Sequence, residues 1–376
     1  MSGNIVNHNI KYPPHWDVLP FSEAIEDVTG GNPKIKQGEY KSSGLLAVVD
    51  QGQELIGGYI NDETKACKEK LPCILFGDHT KIFKFVEKPF ALGADGVKVL
   101  SPLGDYDKRF VYHYLNTVKL PDDAGYSRHF KFLKETYIPK PPIDEQKRIA
   151  AILDKADAIR RKRQQAIKLA DDFLRATFLD MFGDPITNPK GWPVFPLEKV
   201  GKVSTGTTPS SEKAGMFGGN IPFITPGDLE NGDDKIKRFV TEEGSRNSRT
   251  VRKGSTLVCC IGATIGKIGI AQERSAFNQQ INAIEWNDVV NDLYGFGAMS
   301  FLKDLVINRA IKTTLPILKK SEFEKINIPL PPHAIQAKYA KIFQHNSIMK
   351  VKKKSLNNYS NILLNSLTQR AFRGEI

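Results

Sequence analysis

The sequence Ile138-Pro139-Lys140-Pro141-Pro142 precedes Gln146 and a long helical pattern, and the same arrangement returns 190 residues later. The second copy reads Ile328-Pro329-Leu330-Pro331-Pro332 and precedes Gln336. A tryptophan segment also recurs upstream of each copy, at Trp16 and Trp192. A repeat of this length corresponds to a whole globular lobe with a helix attached, so the sequence predicts two lobes and two long helices.

Each predicted lobe contains short apolar runs separated by turns rich in glycine and aspartate. The predicted strands are 45–49, 73–76, 82–86 and 97–100 in the first lobe, and 221–225, 255–261, 267–271 and 283–286 in the second. A helical segment follows the strands in each lobe, at 108–118 and 293–308. Short strands with turn signals and one late helix predict a mixed α/β lobe with a twisted sheet.

The segment after each proline pair has small or apolar residues at spacings of three and four, which is typical of the a/d seam of a coiled coil. The first seam is Ile149, Ile152, Ala156, Ile159, Ala166, Ala170 and Phe173, and the second is Tyr339, Ile342, Asn346, Met349, Leu356, Ser360, Leu363 and Leu367. About 38 helical residues would form a rod roughly 57 Å long. Both seams are buried if the second helix returns antiparallel to the first; the alternative is that each helix packs on its own lobe.

The predicted fold class is therefore α+β, with two mixed α/β lobes separated by an antiparallel two-helix coiled coil and related by a pseudo-two-fold axis. The predicted boundaries are 1–142 for the first lobe, 143–183 for a central spacer helix, 184–332 for the second lobe and 333–376 for a C-terminal spacer helix.

Composition favours a globular protein with a polyanionic partner. The 376-residue chain has a formal net charge of +12, and residues 333–373 contain eight lysines and arginines but no acidic residue. The four cysteines form no paired CxxC set, which argues against a zinc site and favours reduced thiols. No segment is apolar enough to span a bilayer, and the polar start lacks a signal-peptide core. We therefore expect a cytoplasmic protein without a membrane partner.

Catalytic motifs are not apparent in the sequence. Residues 262–267 resemble a phosphate-binding loop but are one residue too short, so a tight turn between strands is the better interpretation. The seven histidines do not cluster with Cys or acidic residues at ligand spacings. The chain also lacks a nucleophile elbow and the Asn/Asp-Pro-Pro-aromatic tetrapeptide of amino-methylating DNA enzymes. We expect no catalytic, cofactor-binding or metal-binding residue in this chain.

Several loops combine basic, hydroxyl, amide and aromatic side chains, which suit phosphates and base edges. Any one of them could be an ordinary solvated loop, but their occurrence in both lobes favours DNA contact. The candidates of the first lobe are Lys34, Lys36, Tyr40, Lys41, Ser42, Ser43, His79, Lys81, Arg128 and His129. Those of the second lobe are Thr207, Thr208, Ser210, Ser211, Lys213, Arg246, Asn247, Arg249, Gln279, Lys312 and Thr313.

The chain resembles the specificity subunits of type I restriction-modification systems. The resemblance rests on the first proline box with Glu145-Gln146, on Phe182-Gly183-Asp184-Pro185, on residues 224–229 and 262–267, and on the closing Ala371-Phe372-Arg373-Gly374. These motifs occur along essentially the whole chain in the family's order. The second proline box departs from the pattern, because Ile335 stands before Gln336 where the first box has Glu145.

The resemblance implies that the lobes are target-recognition domains, each of which reads one half of a split double-stranded DNA sequence. It also implies two methyltransferase subunits bound along the helices, which carry S-adenosylmethionine and methylate adenine. Restriction subunits would add translocation and cleavage driven by ATP and Mg²⁺. The residues that the resemblance assigns to partner binding are Glu145, Gln146, Phe182, Gly183, Asp184, Gln336, Phe372, Arg373 and Gly374.

The sequence thus predicts a non-catalytic subunit that recognises a bipartite, asymmetric DNA target and positions the other subunits on it. Two alternatives stay open at this level. One is a coiled-coil adaptor whose lobes bind proteins, and the other is a stand-alone DNA-modifying enzyme.

Overall fold

The structure is a computed structural model and describes residues 11–94, 96–121, 128–229, 236–311 and 315–376, with the backbone alone for 350–354. The chain forms two compact units. The first consists of Met1–Gln164 together with Ser355–Ile376, and the second of Gln165–Lys354. Each unit therefore takes one part of each long helix.

The first unit is a mixed α/β lobe with part of each long helix packed on it. Its strands are β1 (Asp17–Pro20), β2 (Ile25–Asp27), β3 (Lys34–Ile35), β4 (Leu46–Val49), β5 (Gly58–Ile60), β6 (Cys73–Gly77), β7 (Phe83–Val86), β8 (Phe90–Gly93), β9 (Val97–Pro102) and β10 (Tyr137–Lys140). Its helices are α1 (Phe21–Ala24), α2 (Lys108–Leu115), α3 (Phe130–Leu133) and the first part of α4 (Ile143–Phe182), with 3₁₀ turns at Gln37–Glu39 and Glu63–Lys65.

Two four-stranded sheets form the body of the first lobe. The first is antiparallel with the order β2-β9-β6-β7, and the second has the order β3-β8-β4-β5. In the second sheet β8 pairs in parallel with both of its neighbours. A separate antiparallel pair, β1 and β10, joins the tryptophan segment to the strand that leads into the proline pair.

The second unit repeats most of this plan. Its strands are β11 (Val194–Pro196), β12 (Gly201–Thr205), β13 (Phe217–Ile224), β14 (Phe239–Val240), β15 (Thr250–Val251), β16 (Thr256–Cys259), β17 (Ile268–Ile270), β18 (Ser275–Phe277), β19 (Ile281–Trp286) and β20 (Asn327–Pro329). Its helices are α5 (Leu197–Val200), α6 (Glu242–Arg246), α7 (Asp292–Phe301), α8 (Lys303–Arg309), α9 (Lys320–Phe323) and the first part of α10 (His333–Ala371).

The antiparallel sheet β12-β19-β16-β17 and the pair β11-β20 reproduce the strand order of the first lobe. The other sheet, β14-β13-β18-β15, differs because β15 runs antiparallel to β18, whereas β3 runs parallel to β8. The prediction of two mixed α/β lobes is confirmed. The prediction of one helix over 293–308 is wrong, because the helix breaks at Leu302 into α7 and α8.

Within each unit, the segments of α4 and α10 run antiparallel. In the first unit Arg163 Nη1 donates to the Leu356 carbonyl of α10 at 2.7 Å, and Arg148 Nη2 donates to the Ile376 oxygen, just after α10, at 2.7 Å. In the second unit Asn346 Nδ2 donates to the Ala170 carbonyl at 3.0 Å, and the rings of Phe178 and Tyr339 lie 5.3 Å apart. Because higher numbers on α4 meet lower numbers on α10, the predicted antiparallel pairing is confirmed within each unit.

The seam itself lies about one residue away from the predicted positions along much of α4. Ile159 and Phe173 are 50% and 55% exposed, whereas Leu153 is fully buried and Asp157 is 7% exposed. Met349, Leu356 and Leu363 of the predicted second seam are also exposed. The seam prediction is therefore wrong at these positions. The apolar pattern alone misplaces the seam, because Asp157 occupies a buried position and is neutralised by arginines of its own helix.

Candidate nucleic-acid interface

The loop at residues 34–43 of the first lobe carries its basic and hydroxyl side chains on the outside. The exposed candidates are Lys34, Lys36, Lys41, Ser42 and Ser43. Tyr40 is half-buried and packs against Gly58, where a side chain would collide with the tyrosine. Burial raises the pKa of Tyr40 to about 12, and the neighbouring Asp50 carboxylate adds to the rise. Tyr40 therefore stays protonated near neutral pH and ties this loop to Asp50.

A second loop, residues 50–57, connects β4 to β5 and contacts Tyr40 through Asp50. The Gly52 amide donates to Asp50 Oδ1 at 2.9 Å. The Gly57 amide closes the loop by donating to the Val48 carbonyl at 2.9 Å. A Cβ at Gly57 would collide with the Asp50 carboxylate, so the close approach of the chain around Asp50 needs glycine there.

The 50–57 loop is locked to a third loop, residues 78–81, which carries two predicted DNA contacts. Thr80 Oγ1 donates to the Gln51 carbonyl at 2.7 Å, and the His79 amide donates to Gln51 Oε1 at 3.2 Å. Lys81, at a φ of +60°, donates from Nζ to the Pro121 carbonyl at 2.7 Å. The structure therefore brings the predicted residues Tyr40, His79 and Lys81 together around the 50–57 loop.

Lys84 on β7 anchors the 50–57 loop from below. It is 5% exposed, and its Nζ donates to the Asp50 carbonyl at 2.7 Å and to the Glu54 carbonyl. The Asp50 carboxylate lies 3.7 Å from the same Nζ. Burial lowers the pKa of Lys84, and Asp50 partly opposes this effect. A buried ammonium group is costly unless it is bonded, so these contacts fix the loop to the sheet.

The two remaining candidates of the first lobe differ in accessibility. Arg128 is exposed. His129 is only 3% exposed, and its Nδ1 lies 3.0 Å from the Asp78 carbonyl. The Asp78 carboxylate in turn accepts from the Phe130 amide at 2.7 Å at the start of α3. The contacts of His129 join α3 to the end of β6, and a DNA contact by this side chain stays a prediction.

Four predicted residues of the second lobe share one exposed surface. The Arg249 amide donates to Thr207 Oγ1 at 2.7 Å, and Thr208 Oγ1 donates to Gln279 Oε1 at 2.7 Å. The chain turns here at Gly206, where a Cβ would collide with the carbonyl oxygen of Asn278. The surface therefore presents hydroxyl, guanidinium and amide groups side by side, which suits both phosphates and base edges.

The other candidates of the second lobe are Arg246 in α6, Lys213 and Asn247 in contact with α6, Ser210 and Ser211 in the loop after β12, and two residues outside the described ranges. Lys213 Nζ pairs with Glu243 Oε1 at 3.0 Å, and Asn247 Nδ2 donates to the Glu243 carbonyl at 2.9 Å. Arg246, Ser210 and Ser211 are exposed. Lys312 and Thr313 lie outside the described residues.

Gln146, predicted to contact a partner, is fully buried at the start of α4. Its Oε1 accepts from the amide of Asp107, the N-cap residue of α2, at 2.8 Å. Its Nε2 donates to the carbonyls of Pro141 at 2.8 Å and Asp105 at 3.2 Å. The side chain therefore joins α2 to α4, and its predicted contact with a partner stays a prediction.

Gln336 makes the equivalent contacts at the start of α10 and is also fully buried. Its Oε1 accepts from the amide of Asn291, the N-cap residue of α7, at 2.8 Å. Its Nε2 donates to the carbonyls of Pro331 at 2.8 Å and Val289 at 3.1 Å. The repeated glutamine is therefore a structural clamp in both units, and a partner contact by Gln336 stays a prediction.

The acid that distinguishes the two proline boxes also has an internal role. Glu145 Oε2 accepts from Trp16 Nε1 at 3.2 Å, and His15 Nε2 lies 3.2 Å from the same oxygen. The equivalent Trp192 donates instead to the Phe182 carbonyl at 3.0 Å. Because the second tryptophan has a backbone acceptor, the second proline box needs no acid at the position of Glu145.

The remaining predicted partner contacts lie at the ends of the long helices. Phe182 and Phe372 are buried in the cores of the second and first units, and their contact with a partner stays a prediction. Gly183 and Gly374 have φ of +77° and +70°, a conformation that favours glycine after a helix. Asp184 Oδ1 accepts from the Ile186 amide at 2.7 Å, and Arg373 is exposed.

Sequence reasoning missed Lys84, Asp50 and Gln51. The pattern Phe83-Lys84-Phe85 in a strand predicts an outward-facing lysine, since alternate residues point to opposite faces. The buried position follows from the 50–57 loop folding over β7, which is a non-local contact. The closely spaced glutamines Gln51 and Gln53 were the available signal for a base-contacting loop.

Within the ranges that the structure describes, no group of three or more His, Cys, Asp and Glu side chains could hold a metal ion. Among the same residues, no helix is both long and apolar enough to cross a membrane.

The chain matches the family model of the type I restriction modification DNA specificity domain twice, over residues 22–169 and 189–358. Since these matches cover most of the chain, it belongs to this family.

Known relatives agree with this assignment. The EcoR124I/EcoR124II specificity subunit of Escherichia coli is 24% identical over 83% of this chain and 82% of its own length. The MjaIX specificity subunit of Methanocaldococcus jannaschii is 32% identical over 44% of this chain, a match that spans 40% of that protein. The crystal structure of a type I restriction-modification S subunit from M. genitalium has the same fold, with a TM-score of 0.63, 17% identity and 97% of each chain covered.

Proposed function

We propose that this chain is the DNA-recognition subunit of a type I restriction-modification complex and that it reads a bipartite, asymmetric target. Each lobe reads one half of the target, and the subunit positions methyltransferase and restriction subunits on the DNA. The chain performs no chemistry itself. S-adenosylmethionine, ATP and Mg²⁺ are bound by the partner subunits, and the complex acts in the cytoplasm.

The observation that carries this proposal is that the chain matches the specificity-domain family twice. The two lobes also have the same strand order in their antiparallel sheets but differ in their loops. The first lobe presents lysines, Tyr40 and the 50–57 loop, whereas the second presents Thr207, Thr208 and Gln279. Because base edges are distinguished by the hydrogen-bonding groups that meet them, different loops imply different half-sites.

The long helices supply a surface for partner subunits. In the first unit Tyr359 and Ile362 of α10 are 68% and 65% exposed, and Ile159 of α4 is also exposed. In the second unit Leu169, Phe173 and Ile348 are exposed in the same way. Large apolar residues exposed along a helix are typical of protein interfaces, so each unit offers a place for one methyltransferase subunit.

The proposal is tested by mapping methylated adenines in DNA from cells with and without this chain, in the presence of its methyltransferase subunit. We expect one split motif that disappears when the chain is absent. Methylation or cleavage by the purified chain alone would instead support a stand-alone enzyme. Unchanged DNA affinity of the complex after Lys34→Ala with Lys36→Ala would favour the protein-binding adaptor.

A further inference from the structure

The tip of the 50–57 loop exposes an unusual combination of side chains. Leu55 and Ile56 are 49% and 39% exposed, and Gln53 is also exposed. Two adjacent large apolar residues at a loop tip gain nothing from contact with water. An amide and apolar side chains are, however, the groups that contact adenine and the thymine methyl group in the major groove.

The tip is held in one conformation by bonds that do not involve the tip side chains. Lys84 binds the carbonyls of Asp50 and Glu54, which bracket the first half of the loop. Gln51 is fixed by Thr80 and His79 from the adjacent 78–81 loop. A recognition loop gains selectivity when its shape is set before binding, because less conformational freedom is then lost in the complex.

The charge next to the tip favours DNA as the occupant. Gln53 and Leu55 line a groove of about 610 Å³ that is also lined by Arg161 and Lys162 of α4. Arg109 of α2 also lines this groove, where it pairs with the Glu87 and Asp154 carboxylates. Four lysine and arginine side chains, Lys84, Arg109, Arg161 and Lys162, thus face these two carboxylates in the groove, which leaves it net positive. Cations beside a base-reading loop can bind the phosphates on either side of the bases, and such contacts fix the register of a reader on the duplex.

We propose that the 50–57 loop reads bases of the half-site bound by the first lobe, through Gln53, Leu55 and Ile56, and that Lys84 is the positioning residue that sets its shape. This inference deepens the proposed function and rests on it. The ligand class is double-stranded DNA, and the loop determines specificity without taking part in methyl transfer.

The test compares methylated motifs made in cells by the complete complex with wild-type chain, with Lys84→Met, and with the loop-tip variant Leu55→Ser with Ile56→Ser. The measured quantity is the efficiency of methylation at sites that carry one changed base in one half of the motif, relative to the cognate site. We expect this relative efficiency to be roughly five- to hundred-fold higher in both variants than in wild type, because one good base contact contributes discrimination of that size. The same half should be affected in both variants, and the other half should keep its sequence.

The matched control is Lys98→Met. Lys98 lies on β9 of the same lobe and pairs with Asp27 at 2.9 Å, so this change also removes one bonded lysine but leaves the 50–57 loop in place. The control should keep the wild-type motif. Thermal unfolding and co-purification of the methyltransferase subunit are measured for every variant, so that loss of folding or assembly is recognised.

An unchanged motif and selectivity in the loop-tip variant, in a folded and assembled complex, would overturn the inference even if Lys84→Met failed to fold. Loss of methyltransferase co-purification with the loop-tip variant would overturn it too, because the tip would then be a protein contact. A wild-type complex that methylates no split motif would instead refute the proposed function itself.

Discussion

Gln146 shows how much one buried side chain contributes to the joint between a lobe and a long helix. Its side-chain amide bonds the N-cap residue of α2, the Asp105 carbonyl before α2 and the Pro141 carbonyl before α4. Gln146→Ala leaves these buried groups unpaired, and we expect the free energy of unfolding to fall by roughly 2–3 kcal/mol. Denaturant unfolding followed by circular dichroism measures this loss.

The control for this prediction is Gln164→Ala on the same helix. Gln164 is exposed, so its replacement should change stability by no more than about 0.5 kcal/mol. Equal effects of the two changes would mean that the buried clamp is unimportant for stability.

Asp157 makes the stability of the helix pair depend on pH. Burial by itself raises the pKa of Asp157, but Arg160 and Arg161 outweigh it and hold the pKa below its ordinary value. A lowered pKa in the folded state means that the stabilisation is complete above the unfolded value of about 4 and is lost as the pH falls through the folded value. Asp157→Asn should therefore flatten the loss of stability below about pH 4.

Unfolding midpoints measured between about pH 6 and pH 2 test this expectation. Asp172→Asn, an exposed position on the same helix, provides the control and should keep the wild-type pH profile. If the two variants have the same profile, the ion pairs of Asp157 do not contribute to acid stability.

At the scale of the element, the observed helix seam and the seam predicted from the sequence differ in which residues of α4 should matter for stability. Leu153 is fully buried between the lobe and the helices, whereas Ile159 is half exposed. We expect Leu153→Ala to cost about 2–5 kcal/mol, as large-to-small changes in cores do. Ile159→Ala should stay within about 0.5 kcal/mol. Urea unfolding of both variants measures the difference, and a larger loss for Ile159→Ala would favour the predicted seam.

The sequence predicted elements well wherever local pattern determines them. All eight predicted strand runs overlap observed strands, and the proline pairs precede α4 and α10. The sequence pattern did not predict the parallel pairing of β8 with β3 and β4, because such pairings join distant segments.

The residues of the candidate site could likewise be predicted only where local composition identifies them. Exposed basic loops could be found from composition, but the buried roles of Lys84, Gln146 and His129 depend on contacts made only in the folded chain.

At the scale of the whole molecule, the duplication gives two lobes of common design in one chain. The family match falls once on each half, and the antiparallel sheet has the same strand order in both. The loops that would meet DNA differ in length and chemistry. Under the proposed function, a single chain would therefore recognise an asymmetric target, which a symmetric dimer of one lobe could not do.

This arrangement predicts the outcome of giving the chain two copies of one lobe. We expect a chain in which residues 184–332 also replace residues 1–142 to direct methylation to a motif whose two halves have the same sequence in inverted orientation. The reason is that the sequence predicts a two-fold relation from the expected antiparallel pairing of its two long helices, and two-fold readers bind inverted half-sites. Mapping of methylated adenines in cells that express this chain measures the motif, with the wild-type chain as the control. Two halves in the same orientation would show that the lobes are related by translation, and the predicted two-fold relation would then be wrong.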